Sequence, residues 1–429
     1  MTQALRRGRQ PRRRELHRGS PPPPAAAAAS VDRPSPHHFH DCFQRERVLT
    51  ACGDDDGDIK GQLVESDVES NDDKVVRFPR ERITTQSSDG ADLAAGALKS
   101  GWLTQGSAAV RLQKAAETYL QRRVVPVAGG SAAMHLALLA LDIGDGGEII
   151  MPAVSSSSTA NLVILAGGRP VFADIEAPDR PFLEAADANR LVGPRTRGLL
   201  TIHEAGYPAR TDDLRLVADD RGLALVEDCR QALGATVDEL PVGSTGRSAI
   251  YTFGDSPTAG GLISTPSENL ERHLITLRST VIATDDECFS HDCTDGMTNG
   301  YRIDEAAASA GARALAELPE ALARRRGMAV AVGETLGQAG LKVLGEDAGA
   351  RADWSWLIAL APSRERRDEL VSLCRRAGIE VVMPVAAITR APHNTQLHRR
   401  ALPNTRVYCD LALKLAVVPG LDRQLAALL

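Results

Sequence analysis

From about residue 84 the chain breaks into short apolar runs separated by longer mixed segments. Runs at 124–127, 148–151, 170–175, 198–203, 223–227, 249–253 and 262–265 each have the length of a strand. Most are apolar almost throughout, the pattern of strands covered on both faces. Between them lie segments that read as helices, among them the end of one at 93–100, a longer one at 107–121 and an apolar one at 132–141. Strands and helices in alternation predict an α/β fold whose sheet carries helices on both faces. After residue 304 the texture changes. A long helical stretch rich in alanine and arginine covers 305–336. A strand at 354–360 follows, with Trp354 and Trp356 alternating on it as packing residues. Next come an amphipathic helix at 365–377 stopped by Gly378 and a strand at 379–383 ended by Pro384. We therefore expect a large domain at 79–304 and a smaller C-terminal α+β domain at 305–429.

Residues 1–78 carry no such pattern. Arg6, Arg7, Arg9, Arg12, Arg13, Arg14 and Arg18 form a basic head, followed by proline and alanine runs and an acidic stretch that begins at Asp54. Nothing there has an apolar period able to offset chain entropy, so a disordered low-complexity tail is expected. No continuous apolar segment follows the arginines, so the tail does not read as a signal peptide.

Composition narrows the picture. A chain of 429 residues with 43% hydrophobic and 25% charged side chains has room for two domains and a substantial core. The net charge of -6 argues against general nucleic-acid binding, and no apolar run approaches the length of a membrane span. Cysteines 42, 52, 229, 288, 293, 374 and 409 are unpatterned, which fits free thiols in a reducing, cytoplasmic setting. The Cys288, His291 and Cys293 spacing matches no common zinc site, so no metal centre is expected.

Two segments carry candidate chemistry. Gly129-Gly130-Ser131 stands between a strand and a helix. Small residues there let a ligand approach the backbone, and the helix start offers N–H groups and a partial positive charge to a phosphate. An ordinary tight turn with Ser131 as its cap is the other reading. Asp228 closes the run 223–227, at the strand end where α/β sheets place ligands. It would pair with a protonated pyridine nitrogen, with Gln231 reaching the ring hydroxyl. The alternative is an acid that merely caps the next helix.

Taken in order, several segments resemble the DegT/DnrJ/StrS-type sugar aminotransferases, fold type I pyridoxal-phosphate proteins. The likeness runs from Ser100-Gly101-Trp102-Leu103-Thr104-Gln105-Gly106 through Gly130-Ser131-Ala132-Ala133, Met151-Pro152-Ala153 and Pro170-Val171-Phe172-Ala173-Asp174-Ile175. It continues through His203, Gly206 and Pro208, Glu227-Asp228 with Gln231, Val242-Gly243-Ser244 and Tyr301-Arg302 to the Pro384 region. The resemblance implies a PLP-transferase-like large domain with a mainly parallel sheet, and a homodimer with sites at the subunit interface. It also implies pyridoxal phosphate or pyridoxamine phosphate as cofactor, and an acceptor that is a keto-sugar nucleotide or keto-cyclitol. Asp228 would hold the pyridine nitrogen, Gln231 would sit near the ring oxygen, and Gly130, Ser131 and Thr252 would hold the phosphate.

The departures fall on the same site. No lysine occurs between Lys114 and Lys342, and Pro257 stands where the resemblance places the Schiff-base lysine. Ser156 replaces a ring-stacking aromatic, and Gly300 an asparagine that would meet the neighbouring subunit's phosphate. No catalytic residue is therefore assigned. Three functions follow: a partner or regulator of an active paralogue, as homodimer or heterodimer; an enzyme binding pyridoxamine phosphate or a sugar nucleotide noncovalently; or a working aminotransferase with an unrecognised lysine.

Overall fold

The computed structural model describes residues 103–144, 146–253, 260–279, 300–384, 386 and 400–429, with isolated positions between 95 and 101. The tail at 1–78, Trp102, Pro257 and the Cys288–His291–Cys293 group lie outside the described residues. Two units divide the chain, 1–73 and 74–429, and every described element belongs to the second.

Seven strands build its central sheet: β1 (Arg123–Val127), β2 (Glu148–Pro152), β3 (Arg169–Ala173), β4 (Thr196–Ile202), β5 (Ala224–Asp228), β6 (Ser248–Thr252) and β7 (Gly261–Thr265). Their spatial order is β1-β7-β6-β5-β4-β2-β3. The pairings β6–β5, β5–β4, β4–β2 and β2–β3 are parallel, and β7 runs antiparallel to both β1 and β6. β1 therefore points the same way as the parallel strands, and six strand ends emerge along one edge.

Successive side chains of a strand face opposite ways, and here both faces are dry. Ile149 and Met151 of β2, Leu200, Val226 and Ile250 pack into one cluster with helix α1 (Gly130–Leu139). Ile150, Leu199 and Leu225 turn the other way, onto Leu214 and Ala218 of helix α2 (Asp212–Arg221). Ala249 and Tyr251 face helix 107–120 and the first half of helix α3 (Glu305–Gln338). Double coverage is why these strands read as unbroken apolar runs.

Helix α3 serves two cores. Ala308, Ala314, Leu315 and Leu318 join the central-sheet cluster, whereas Ala329, Val332 and Leu336 join a second one. That second cluster lies against an antiparallel sheet of β8 (Lys342–Val343), β9 (Trp356–Leu360), β10 (Val381–Val382) and β11 (Ala412–Ala416), ordered β8-β9-β11-β10. Two sequence expectations change here. Trp354 stands outside the strand with φ 58, a left-handed conformation that ends the extended run, and packs edge-on against Tyr207 at 5.4 Å. The expected strand at 379–383 shrinks to β10, while β11 lies between β9 and β10.

Candidate functional site

The strand ends open into a cavity of about 520 Å³. Gly129 and Gly130 follow β1, Ser155 and Ser156 follow β2, and Ile202 closes β4. Asp228 closes β5, with Arg230 and Gln231 just beyond it, and Thr252 closes β6. His203, Glu204 and Tyr301 complete the wall. All five residues expected to contact a cofactor, Gly130, Ser131, Asp228, Gln231 and Thr252, therefore share one cavity.

The first turn of α1 points into this space. Its N-cap is Gly129, without a side-chain cap, so Ser131 does not cap the helix. The first backbone bond of the helix runs from Ala133 N to Gly129 O, and the amides of Gly130, Ser131 and Ala132 have no backbone partner among the described residues. A Cβ on Gly130 would lie 2.5 Å from Thr252 Cγ2 and 2.9 Å from Arg230 Cδ, so only glycine lets these three residues meet.

Asp228 is already engaged. Arg230 Nε donates to its Oδ1 at 2.8 Å and Nη2 to its Oδ2 at 2.6 Å, while the Arg230 backbone N–H donates to Oδ1 at 3.2 Å. The fork geometry satisfies both carboxylate oxygens. Asp228 is 4% exposed and Arg230 18% at the side chain. Burial pulls the Arg230 guanidinium down, but the charge of Asp228 and its hydrogen bond more than reverse this, so its pKa is raised. Nη2 also donates to Thr159 Oγ1 at 2.6 Å. Thr159 Oγ1 lies 2.9 Å from Ser156 Oγ, and Ser156 caps helix 157–165.

Other expected contacts are likewise committed. Gln231 Oε1 accepts from Ala205 N at 2.9 Å, and Thr252 Oγ1 donates to Arg230 O at 2.7 Å. Glu204 pairs with Lys414 Nζ at 2.8 Å, but Lys414 does not line the cavity. Lys342 binds Asp179 at 2.6 Å, and Lys99 and Lys114 are exposed. No lysine lines the cavity among the described residues.

Glu227, next to Asp228, faces away from the ligand space and is 1% exposed. It accepts from His203 Nε2 at 3.2 Å and from the amides of Gly243 and Thr245 at 3.1 and 3.0 Å, and from that of Gly246. His203 Nδ1 accepts from Ala209 N at 3.0 Å, which places the imidazole proton on Nε2. Glu227 therefore anchors the loop leading into β6. Burial pushes its pKa up, but the hydrogen bonds from His203 and the Gly246 amide, together with the Arg122 guanidinium, bring it below the usual glutamate value.

Sequence reasoning missed Arg230. The available signal was an arginine two residues beyond the acid that closes a buried strand. It also missed Ser155, whose buried Oγ has no partner among the described residues and which lines the cavity.

The sequence model of the DegT/DnrJ/EryC1/StrS aminotransferase family matches residues 85–427. The chain belongs to this family. Among solved structures, this DegT/DnrJ/EryC1/StrS member is similar to DesV of S. venezuelae, crystallised with a ketimine intermediate, at 28% identity and a TM-score of 0.70, covering 80% of this chain and 92% of that one. DesI, solved in the presence of its TDP-sugar product, matches at 27% identity and TM-score 0.69, covering 80% and 88%. The aminotransferase TlmJ of Streptoalloteichus hindustanus shares the fold at 23% identity and TM-score 0.71, covering 79% and 94%. The fold is that of fold type I pyridoxal-phosphate aminotransferases, and the family implies pyridoxal-phosphate chemistry. The residues of this member do not fit the anchored cofactor. The cavity has no lysine wall residue among those described, and the carboxylate expected to meet the ring nitrogen is held by Arg230.

Proposed function

We propose that this protein is a non-transaminating member of its family. It would act as a partner or regulator in the amination of keto-sugar nucleotides or keto-cyclitols, paired with an active paralogue through a dimer surface. The supporting observation is the Asp228–Arg230 ion pair in a cavity without a lysine among its described lining residues. An anchored cofactor needs an amine within bonding distance of its aldehyde and a free carboxylate at its ring nitrogen. DesI, solved in the presence of its TDP-sugar product at 27% identity, suggests sugar-nucleotide chemistry as the setting. A cytoplasmic location and a division into domains at 79–304 and 305–429 belong to the same proposal.

A second reading has its own support. The first-turn amides of α1 and the Ser155 Oγ, which have no partner among the described residues, suit a noncovalently held phosphate ligand, either pyridoxamine phosphate or a sugar nucleotide.

The test uses the full chain with pyridoxal phosphate, followed by borohydride reduction and intact-mass measurement. No internal-aldimine absorbance and no phosphopyridoxyl adduct are expected. A stoichiometric adduct on Lys414 or any other lysine would overturn the proposal in favour of a working aminotransferase. Co-expression with an intact family member should yield a mixed dimer. Strict homodimers would leave the partner role without support.

A further inference from the structure

Cofactor rings of this class present a protonated pyridine nitrogen, a cation, to a carboxylate. At Asp228 that place is taken by a side chain of the same polypeptide. We propose that Arg230 is a built-in occupant of the ring end of the cavity, a specificity-determining residue that turns away cationic heterocycles such as pyridoxamine phosphate. The proposal deepens the non-transaminating reading and rests on it only for the location of the ring.

The arginine is held at both ends. Its backbone N–H bonds Asp228 Oδ1, and its carbonyl accepts from Thr252 Oγ1 at 2.7 Å. Its guanidinium grips both oxygens of Asp228, and Nη2 additionally meets Thr159 Oγ1. Gly130 leaves the room into which Cδ packs. Swinging the side chain out would strand a carboxylate only 4% exposed without its counter-charge. A pyridinium brought to the same carboxylate would meet a second cation at close range in a partly desolvated cavity, where like charges repel strongly. The cavity wall is otherwise internally neutralised, because Glu204 is paired with Lys414. No spare acid among the described wall residues is therefore left to receive a ring cation.

Binding of pyridoxamine phosphate to the full-length protein, measured by calorimetry, tests this, with inorganic phosphate as the reference ligand. Pyridoxamine phosphate carries no aldehyde, so the result does not depend on any lysine and stands apart from the borohydride experiment. Native protein should bind pyridoxamine phosphate no more than about threefold tighter than phosphate. Arg230→Ala should gain about tenfold or more for pyridoxamine phosphate, close to one decade in Kd, with little change for phosphate. Adding Asp228→Asn to that variant should abolish the gain. Should Arg230→Ala fail to fold, as judged by circular dichroism, Arg230→Gln keeps a neutral donor near one oxygen and must show the same direction of change. Native protein binding pyridoxamine phosphate as tightly as a folded Arg230 variant would overturn the proposal. So would a gain that persists without the Asp228 carboxylate.

Discussion

Glu227→Gln changes one atom, yet the structure assigns it a large cost. The Glu227 carboxylate is 1% exposed and faces four N–H donors. Oε2 accepts from His203 Nε2 and Gly243 N, and Oε1 accepts from Thr245 N and Gly246 N. Glutamine has one oxygen and one NH2 group. Whichever way the amide turns, two donors keep an acceptor and two face another donor. The imidazole cannot relieve the conflict by changing tautomer, because His203 Nδ1 is occupied by the Ala209 amide. Hydrogen bonds to charged acceptors are worth about 1.5–3 kcal/mol each, so losing two costs about 3–6 kcal/mol. Against a typical stability of about 5–15 kcal/mol that is severe. Urea unfolding followed by far-ultraviolet circular dichroism measures it at neutral pH. The pH dependence gives a second check. Because the folded pKa of Glu227 is depressed, its contribution is fully present above about the unfolded glutamate value near 4.5 and is lost as pH falls through the folded value. The variant should lack that part of the acid limb. A Glu227→Gln protein within about 1 kcal/mol of native stability would refute the assigned role of this carboxylate.

Three further outcomes follow from other contacts. Asp187, 2% exposed and bound to Arg190, Arg400 and the Asp174 amide, has a pKa of about 2. Asp187→Asn should cost about 2 kcal/mol at neutral pH and remove a loss of stability that native protein shows as pH falls from about 4 to 2; an unchanged acid profile in urea titrations would contradict this. Lys414→Met leaves Glu204, 8% exposed, without its counter-charge, and should lower stability by about 3 kcal/mol, with a thermal midpoint equal to native counting against a structural pair. Gly311→Ala puts a Cβ within 2.8–3.1 Å of three Phe253 ring atoms, so the helix-propensity gain of about 1 kcal/mol should be outweighed by overpacking of about 1–3 kcal/mol, and a variant more stable than native would show that the ring yields.

The central sheet was legible because its chemistry is local. Strands such as β2 and β6 are buried on both faces, so each is an apolar block that needs no partner to be recognised. The small sheet was harder. The segment Ala412–Ala416 contains Lys414, whose ammonium is sequestered by Glu204, some two hundred positions away in sequence. A lysine in a short run hides a strand unless its distant partner is known. Trp354 had the residue type of a strand, but its φ of 58 is set by the corner in which it packs on Tyr207. The five expected cavity residues were visible as motif positions, whereas the commitments of Asp228, Gln231 and Thr252 to Arg230 and Ala205 were not. Those bonds depend on side-chain direction, which no spacing encodes.

The missing lysine and the placed arginine are physically linked. A carboxylate at a buried strand end is costly unless a cation accompanies it. In a protein that keeps an anchored pyridoxal phosphate, the ring supplies that charge. Without an amine to tether the aldehyde, the ring dissociates more easily, and the Asp228 carboxylate, only 4% exposed, would stand without a counter-charge. Arg230 resolves this from two residues away, with a guanidinium whose fork matches the carboxylate and whose remaining contact reaches Thr159. On the proposed reading, the same pair that makes the empty state tolerable makes the filled state unfavourable. On the proposed reading, in which position 257 stands in the lysine's place, a lysine put there alone should therefore fail to give a stable internal aldimine. Pro257→Lys combined with Arg230→Ala should do better than either change. An aldimine band as strong in the single Pro257→Lys protein as in the double variant would show that the arginine gives way to the cofactor, and that lysine loss alone separates this chain from a transaminase.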